Sequence, residues 1–391
     1  MNILIANTQE FNPTIGGVER ISHAYALRLQ ELGHGVWFVA CLRSPYSQSY
    51  SPAAPQLVLP DRQYNTACNL RALCGYLQEN RIEIIHNQAG NIPEFTELCA
   101  AAAEKMAIPL VSAVHIDPMH QLCSLRDFRF SRVLPAENIK GIARMVLYPF
   151  RVGKIRKYVQ RTYRKILGCS AATVVLSPAY IEPLKQIAPQ ANIIAIPNWL
   201  PFENLEKSAE KENTVLYVGR LDHEHKRPDR LLDIWQQVCR GFPDWTLKLA
   251  GDGPAGEELR WFVQKNRIPR VQFLGFCDPR EEYSKAKILC QTSTIEGLSM
   301  VLLEAMAYGC VPVVYDSYAA VYDVIDSGKN GFVVKAFRRR RFVKLLRQLM
   351  SDDNLRSAVG ESACDIGNRF QKNAIVENWL ELYSRCLEEN R

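Results

Sequence analysis

Asn2-Ile3-Leu4-Ile5-Ala6-Asn7 and Gly35-Val36-Trp37-Phe38-Val39-Ala40-Cys41-Leu42 are short apolar runs, and between them Val18, Ile21, Tyr25, Leu29 and Leu32 recur at helical spacing until Gly33 stops the pattern. The reading is strand, helix, strand, one complete βαβ unit. Working outward, residues 82–87, 109–115, 173–177 and 192–197 repeat the apolar run. Alternation of such runs with helical patterns is the signature of a parallel α/β sheet. From 197 to 213 the periodicity is lost and the chain turns polar and charged. It then restarts, with 214–221, 246–251, 271–276, 288–293, 311–316 and 331–334 as strands. The expectation is two doubly wound domains: residues 1–197, with a basic helical region at 126–168; a linker at 198–213; residues 214–370; and a C-terminal helix at 371–391. That last helix, with Val376, Trp379, Leu380, Tyr383 and Leu387 on one stripe, can cover either domain, including by crossing back to the first.

The 391 residues are 47% hydrophobic and 23% charged, which excludes a disordered, collagenous or coiled-coil chain and is enough to build two cores. No run of about 18 uncharged apolar residues occurs, and Met1-Asn2-Ile3-Leu4-Ile5 carries no basic leader. The expectation is a cytoplasmic chain that neither spans a membrane nor is exported. The 12 cysteines form no Cys-x-x-Cys pair, the pattern of reduced thiols and not of a zinc or dithiol site. The net charge of +7 is local: between Arg126 and Lys165, 12 Lys or Arg face only Asp127 and Glu137, so the rest of the chain is slightly acidic. A localised patch implies an anionic surface or partner.

Ligands of doubly wound sheets bind beyond the carboxyl ends of the strands, where loops lead into helix N-termini. Three such loops stand out. Pro13-Thr14-Ile15-Gly16-Gly17-Val18-Glu19-Arg20 places paired glycines before a helix, either for close backbone approach of a ligand or simply for a tight turn. Val218-Gly219-Arg220-Leu221-Asp222-His223-Glu224-His225-Lys226-Arg227-Pro228 sets two cations, Arg220 and Lys226, before a helix start, which suits a diphosphate. Its plain alternative is a surface loop whose cations pair with Asp222 and Glu224. The histidines there, with Asp222, do not make a metal site, because no other His or Cys grouping supports them. In Thr292-Ser293-Thr294-Ile295-Glu296-Gly297-Leu298-Ser299-Met300-Val301-Leu302-Leu303-Glu304, one glutamate lies in the loop and the second inside an apolar helix, so both can face one pocket. The amides of Gly297, Leu298 and Ser299 then lie at the helix N-terminus, aimed at anionic oxygens. Glu304, acidic in an apolar helix, needs buried partners such as ligand hydroxyls.

Together these residues resemble glycosyltransferase family 4, the retaining nucleotide-sugar transferases of the GT-B fold. The resemblance runs over essentially the whole chain: the Gly16-Gly17 turn, His115 in Val111-Ser112-Ala113-Val114-His115-Ile116-Asp117, the Arg220 and Lys226 pair, Ala250-Gly251-Asp252-Gly253-Pro254, and Glu296 with Glu304 as an E-x7-E motif. It implies two Rossmann-like domains facing each other across a cleft. It also implies that Arg220 and Lys226 hold the donor diphosphate beside Gly219 and Gly251, that Glu296 holds the donor sugar and its phosphate, and that Glu304 binds the ribose. His115 would contact the sugar, and Gly16 and Gly17 would line the phosphate or acceptor side. The chain departs from the family pattern in placing the lysine six residues after the arginine, where many relatives have five, and in Leu298, where an aromatic is frequent.

A nucleoside diphosphate is a good leaving group, so what helps is stabilisation of charge as it departs. The resemblance implies same-face transfer with the departing phosphate taking the acceptor proton, in place of a carboxylate nucleophile. With no Asp-x-Asp motif, the expectation is no cofactor and no metal requirement, the nucleotide sugar, UDP-linked by default, being a substrate. Lys154, Lys157, Arg161, Arg164 and Lys165 share one helical side beside Ile155, Tyr158, Val159 and Ile166, which suits the inner face of an anionic membrane; a solvated helix face is the alternative, and nucleic acid is disfavoured for want of a binding module. The functional expectation is a hexosyltransferase acting on a lipid-linked or growing glycan acceptor in cell-surface polysaccharide or lipopolysaccharide synthesis, peripherally bound to the cytoplasmic membrane. A nucleotide-sugar 2-epimerase of the same fold and a non-enzymatic two-domain sugar-binding protein are the rivals.

Overall fold

Ile3, Leu4, Ile5 and Ala6 of the first strand, β1 (Asn2–Gln9), are fully buried, which is why the run is apolar without alternation: a parallel strand covered by helices on both faces has no solvent side. The computed structural model describes residues 1–14, 16–43, 50–122, 148–202, 205, 208 and 210–390. The chain divides into two compact units, one built from Met1–Met119, Lys154–Pro201 and Gln371–Arg391, the other centred on Phe202–Phe370.

In the first unit β1 is joined by β2 (Gly35–Leu42), β3 (Gln56–Val58), β4 (Ile84–Asn87), β5 (Leu110–Val114), β6 (Ala172–Val175) and β7 (Ile193–Ala195), in the spatial order β3-β2-β1-β4-β5-β6-β7. Every pairing is parallel. The second unit has β8 (Glu212–Val218), β9 (Thr246–Ala250), β10 (Val271–Gly275), β11 (Ala286–Gln291), β12 (Val311–Tyr315) and β13 (Phe332–Val334), ordered β10-β9-β8-β11-β12-β13 and again all parallel. Strand order therefore reverses between β1 and β4 in one sheet and between β8 and β11 in the other, the two places where such sheets open a crevice for a ligand. Each sheet is packed on its own apolar core, one around Leu4, Ile85, Phe95 and Leu98, the other around Trp235, Leu249, Val313 and Phe342.

The differences from the sequence reading have local causes. β3 is only three residues long and half-buried, too short to show as an apolar run. Leu32 is exposed, because the helix Gly17–Glu31 ends before it and its buried stripe is Ile21, Ser22, Tyr25, Ala26 and Leu29. The polar segment read as starting at 198 starts later: Trp199 and Leu200 are buried, with the Trp199 ring 5.7 Å from Tyr25. The expected strand ends at Leu221, Gly251, Phe276 and Ser293 lie beyond the strands, because the chain leaves the ladder at Val218, Ala250, Gly275 and Gln291. The C-terminal helix, Lys372–Glu389, covers the first unit: Tyr383 and Trp379 pack on Tyr25 and His86, and Asn390 donates to the Ala107 carbonyl at 2.9 Å.

Candidate active site

Because all strands of the second sheet run parallel, the loops after β8, β9 and β11 gather at one edge. Gly219 N–H donates to the Ala250 carbonyl at 3.0 Å, Leu221 N–H to Asp252 O at 2.9 Å and Ala255 N–H to Leu221 O at 2.9 Å, zipping the first two loops together. This close approach requires glycine at 251: its φ is +139°, and a Cβ there would overlap the Gly219 carbonyl oxygen.

The cation loop is folded by Asp222. Its buried Oδ1 accepts from the N–H groups of Glu224, His225 and Lys226 at 3.0, 2.6 and 3.2 Å. The Thr294 N–H donates to His225 O at 2.7 Å and the Thr292 hydroxyl to Arg227 O at 2.8 Å, which ties this loop to the one after β11. As a result the Lys226 ammonium meets both carboxylate oxygens of Glu296, at 2.7 and 2.9 Å. Lys226 therefore pairs with Glu296 and not with Asp222, whose Oδ1 is held by backbone N–H groups. Arg220 remains exposed, its carbonyl accepting from the Tyr217 hydroxyl at 2.9 Å. Of the loop histidines, His223 bonds to Glu258 and approaches Asp229. Among the described residues no group of three His, Cys, Asp or Glu side chains is arranged to hold a metal ion.

Gln291, the last residue of β11, sits behind the ion pair. Its amide donates to Glu296 Oε1 at 3.0 Å and to Ser299 Oγ at 2.6 Å, while its carbonyl accepts from the Tyr318 hydroxyl at 3.2 Å. Ser299 in turn caps the helix Met300–Ala307 through the Leu302 N–H, so the helix N-terminus, Leu298 and Glu296 are fixed as one assembly. Burial pushes the Tyr217 and Tyr318 phenols well up, reinforced at Tyr217 first by the Asp222 charge and at Tyr318 by that of Glu296, so both stay protonated donors. Glu304 is 1% exposed and accepts from the buried Tyr283 hydroxyl at 3.0 Å. The sequence reading missed Gln291, Tyr318, Tyr217 and Tyr283. Gln291 alone left a signal, as a polar residue closing an apolar strand.

In the first unit Gly16 is the extended N-cap of the helix Gly17–Glu31, and a Cβ on it would overlap the Glu19 carboxylate, which accepts from Asn7 at 3.2 Å. The space above Gly17 is open. Neither glycine has a left-handed φ. His115 Nε2 is hydrogen-bonded to Gln88 Oε1, and burial holds the imidazole down to about 4, neutral at physiological pH.

The basic helix is Tyr148–Gly168. Val159, Tyr163, Ile166 and Leu167 are buried, while Phe150, Lys154, Lys157, Tyr158, Arg161 and Arg164 are exposed on the opposite side. Lys165 is engaged in an ion pair with Glu97. The rest of the basic region, residues 126–147, lies outside the described residues. Among the described residues no helix is long and apolar enough to cross a membrane.

Residues 15–203 match the family model described as Glycosyltransferase Family 4, and residues 202–365 match the one described as Glycosyl transferases group 1. An uncharacterized glycosyltransferase of Haemophilus influenzae is 31% identical over 196 residues, 48% of this chain and 54% of that protein. The Campylobacter jejuni GalNAc-alpha-(1->4)-GalNAc-alpha-(1->3)-diNAcBac-PP-undecaprenol alpha-1,4-N-acetyl-D-galactosaminyltransferase is 32% identical over 181 residues, 46% of this chain and 50% of that one. The chain thus spans about half the length of these relatives. Among solved structures, Anabaena HepE in complex with UDP superposes with a TM-score of 0.74 at 19% identity, covering 98% of this chain and 100% of that one. Sucrose-phosphate synthase from Thermosynechococcus elongatus gives 0.76 at 17% identity over 100% of both chains. With the two family models meeting end to end across both parallel-sheet units, the chain belongs to glycosyltransferase family 4, of the GT-B fold.

Proposed function

We propose that this protein is a retaining hexosyltransferase that moves a sugar from UDP to a lipid-linked or growing glycan in cell-surface polysaccharide or lipopolysaccharide synthesis. The observation that carries the reading is the Lys226–Glu296 ion pair beside a capped helix N-terminus, at the point where the second sheet reverses its strand order. Such a place sets an ammonium, with a carboxylate as its partner, beside a helix N-terminus, and a departing diphosphate is stabilised by such donors. Arg220 and Lys226 hold the diphosphate, flanked by Gly219, Gly251 and the amides of Gly297, Leu298 and Ser299. Glu296 orients the sugar and Glu304, held by Tyr283, the ribose. Within the first unit, the neutral His115 and the Gly16–Gly17 turn are the groups the family resemblance assigns to substrate.

Transfer then proceeds on one face of the sugar, the phosphate oxygen accepting the acceptor's proton as the glycosidic bond forms. The protein's own cations neutralise the leaving group, so turnover proceeds without added metal. The Campylobacter relative, named for an undecaprenol-linked substrate, supports a lipid-linked acceptor, and HepE supports UDP. The exposed face of Tyr148–Gly168 rests on anionic lipid at the cytoplasmic surface, Phe150 and Tyr158 entering the interface between the lysines and arginines.

Calorimetric titration with UDP, GDP and ADP in EDTA, beside Lys226→Ala, tests this. One nucleotide binding, and binding more weakly to the variant, supports the site and identifies the donor class. Absence of binding for all three, with and without added Mg²⁺, overturns it.

A further inference from the structure

Gln291 follows the apolar run Ile288-Leu289-Cys290 at the end of β11 and is 6% exposed. An amide buried at such a position costs free energy unless its polar atoms are paired, and an aliphatic side chain would fill the place without that cost. Here the pairing is complete: the nitrogen donates to Glu296 Oε1 at 3.0 Å and to Ser299 Oγ at 2.6 Å, and the carbonyl accepts from the Tyr318 hydroxyl at 3.2 Å. The partners fix which way the amide faces. A carboxylate only accepts, so the nitrogen must be turned to Glu296. The Tyr318 phenol, kept protonated by burial and by the Glu296 charge, supplies the proton at the other end.

The two oxygens of Glu296 are therefore not equivalent. Oε1 takes Lys226 at 2.7 Å and Gln291 at 3.0 Å, which fills its two lone pairs. Oε2 takes Lys226 alone among the described residues, at 2.9 Å, and keeps one lone pair for another donor. The two donors also differ in how firmly they are held. Lys226 sits on a loop and is 27% exposed, so its long side chain can turn to an arriving anion. Gln291 belongs to a strand, in register with Val314 of β12, and is tied at both ends of its amide.

We propose that Gln291 is a positioning residue for the donor sugar, acting through Glu296: anchored by Tyr318 and Ser299, it clamps Oε1 while Lys226 turns to the diphosphate, and so presents Oε2 as the oxygen that accepts from a sugar hydroxyl. The clamp serves the hexose and not the nucleotide. This rests on the assignment of Glu296 to the donor sugar.

The test uses Gln291→Met, which keeps the length of the side chain and removes its hydrogen-bonding atoms. Ser317→Ala is the comparison, since the Ser317 hydroxyl holds the same loop through the Ser293 carbonyl at 2.7 Å and does not touch Glu296. Two quantities are measured for each protein: the affinity for UDP, and the rate at which UDP is released from UDP-glucose, UDP-galactose, UDP-N-acetylglucosamine and UDP-N-acetylgalactosamine with water as acceptor. Gln291→Met should lower the release rate roughly tenfold and leave UDP affinity within about threefold. Ser317→Ala should preserve both. An unchanged rate in Gln291→Met, a matching loss of UDP affinity, or an equal fall in Ser317→Ala overturns the clamp. Nitrogen-15 spectra read the clamp apart from the reaction: the Gln291 side-chain hydrogens, identified by their loss in Gln291→Met, should exchange slowly with and without UDP, and fast exchange in either state overturns it. A wild type that binds no UDP, or releases it from none of the four sugars, overturns the functional reading instead.

Discussion

Lys226 and Glu296, 70 positions apart in the chain, meet as a two-point ion pair with the ammonium 2.7 and 2.9 Å from the carboxylate oxygens. The glutamate side chain is 8% exposed and the lysine 27%, so the lysine is the partner more open to solvent. A diphosphate arriving at the loop offers Lys226 a second anionic partner without requiring it to move far. Replacing Lys226 with Ala should therefore lower the affinity for UDP by roughly ten- to a hundredfold, the worth of about one charged hydrogen bond. Titration calorimetry reads this directly, and equal affinities for variant and wild type would remove Lys226 from the site.

Glu296→Gln separates binding from chemistry. The amide is isosteric, so the Gln291 contact to its oxygen can be retained, while the charge and one of the two Lys226 contacts are gone. Turnover should fall by about 10²–10³-fold, the usual effect of removing one electrostatic group from a reacting centre. UDP affinity should stay within about threefold, well under 1 kcal/mol. A variant with wild-type kcat would show that Glu296 serves Lys226 only.

Gly251 and Gly275 both have positive φ, +139° and +71°, but they differ in space. A Cβ on Gly251 would overlap the Gly219 carbonyl, whereas Gly275 has nothing near. Gly251→Ala must push the β8 and β9 loops apart and should cost at least 2–3 kcal/mol together with nucleotide binding. Gly275→Ala carries only the left-handed backbone penalty, about 1 kcal/mol. Thermal unfolding of the two variants with and without UDP distinguishes them, and equal shifts would contradict the loop-zipper geometry.

The same contrast explains how much could be read beforehand. Continuous apolar runs made the buried strands legible, because a strand covered on both faces has only one pattern to show. Glu304 was legible as an anomaly, a carboxylate in the apolar helix Met300–Ala307. Its partner was not: Tyr283 lies in a short helix and reads as core, and only the fold brings its hydroxyl to the carboxylate. Likewise Lys226 and Glu296 were legible as residue types in suspicious loops, but their pairing depends on β8 and β11 being neighbours, which linear order does not state. Trp199 was misread because a polar stretch follows it, although the ring itself belongs to the aromatic cluster around Tyr25.

For the basic helix, the reading turns on Phe150, which is 76% exposed among cations. An aromatic anchor and a cationic ring act by different physics, so they can be separated. Lys154→Glu with Lys157→Glu should sharply weaken binding to phosphatidylglycerol vesicles, each lysine near such a surface being worth about 1 kcal/mol, and should reduce its salt dependence. Phe150→Ala should weaken binding by several-fold while leaving the salt dependence intact. Sedimentation with anionic and zwitterionic vesicles measures both, and equal binding of the wild type to the two lipids would leave the helix a solvated face.

Stability should depend on two histidines of the first unit, His86 and His115. Both fall below the ordinary histidine value of 6.5, His86 to about 3 and His115 to about 4, chiefly through burial. Between 6.5 and those values the unfolded chain binds protons that the folded chain refuses, so stability is fully present above pH 6.5 and is lost as pH falls through this window. Each histidine contributes a slope approaching about 1.4 kcal/mol per pH unit. His86→Gln removes one of them while leaving a polar side chain beside Tyr383. Its urea midpoint should fall less steeply between pH 6 and 4.5 than that of the wild type, by close to one proton. Carboxylates titrating in the same range affect both proteins equally and cancel in the difference. Parallel stability curves would mean that His86 titrates alike in the folded and unfolded chain, and the neutral imidazole beneath Trp379 would have to be abandoned.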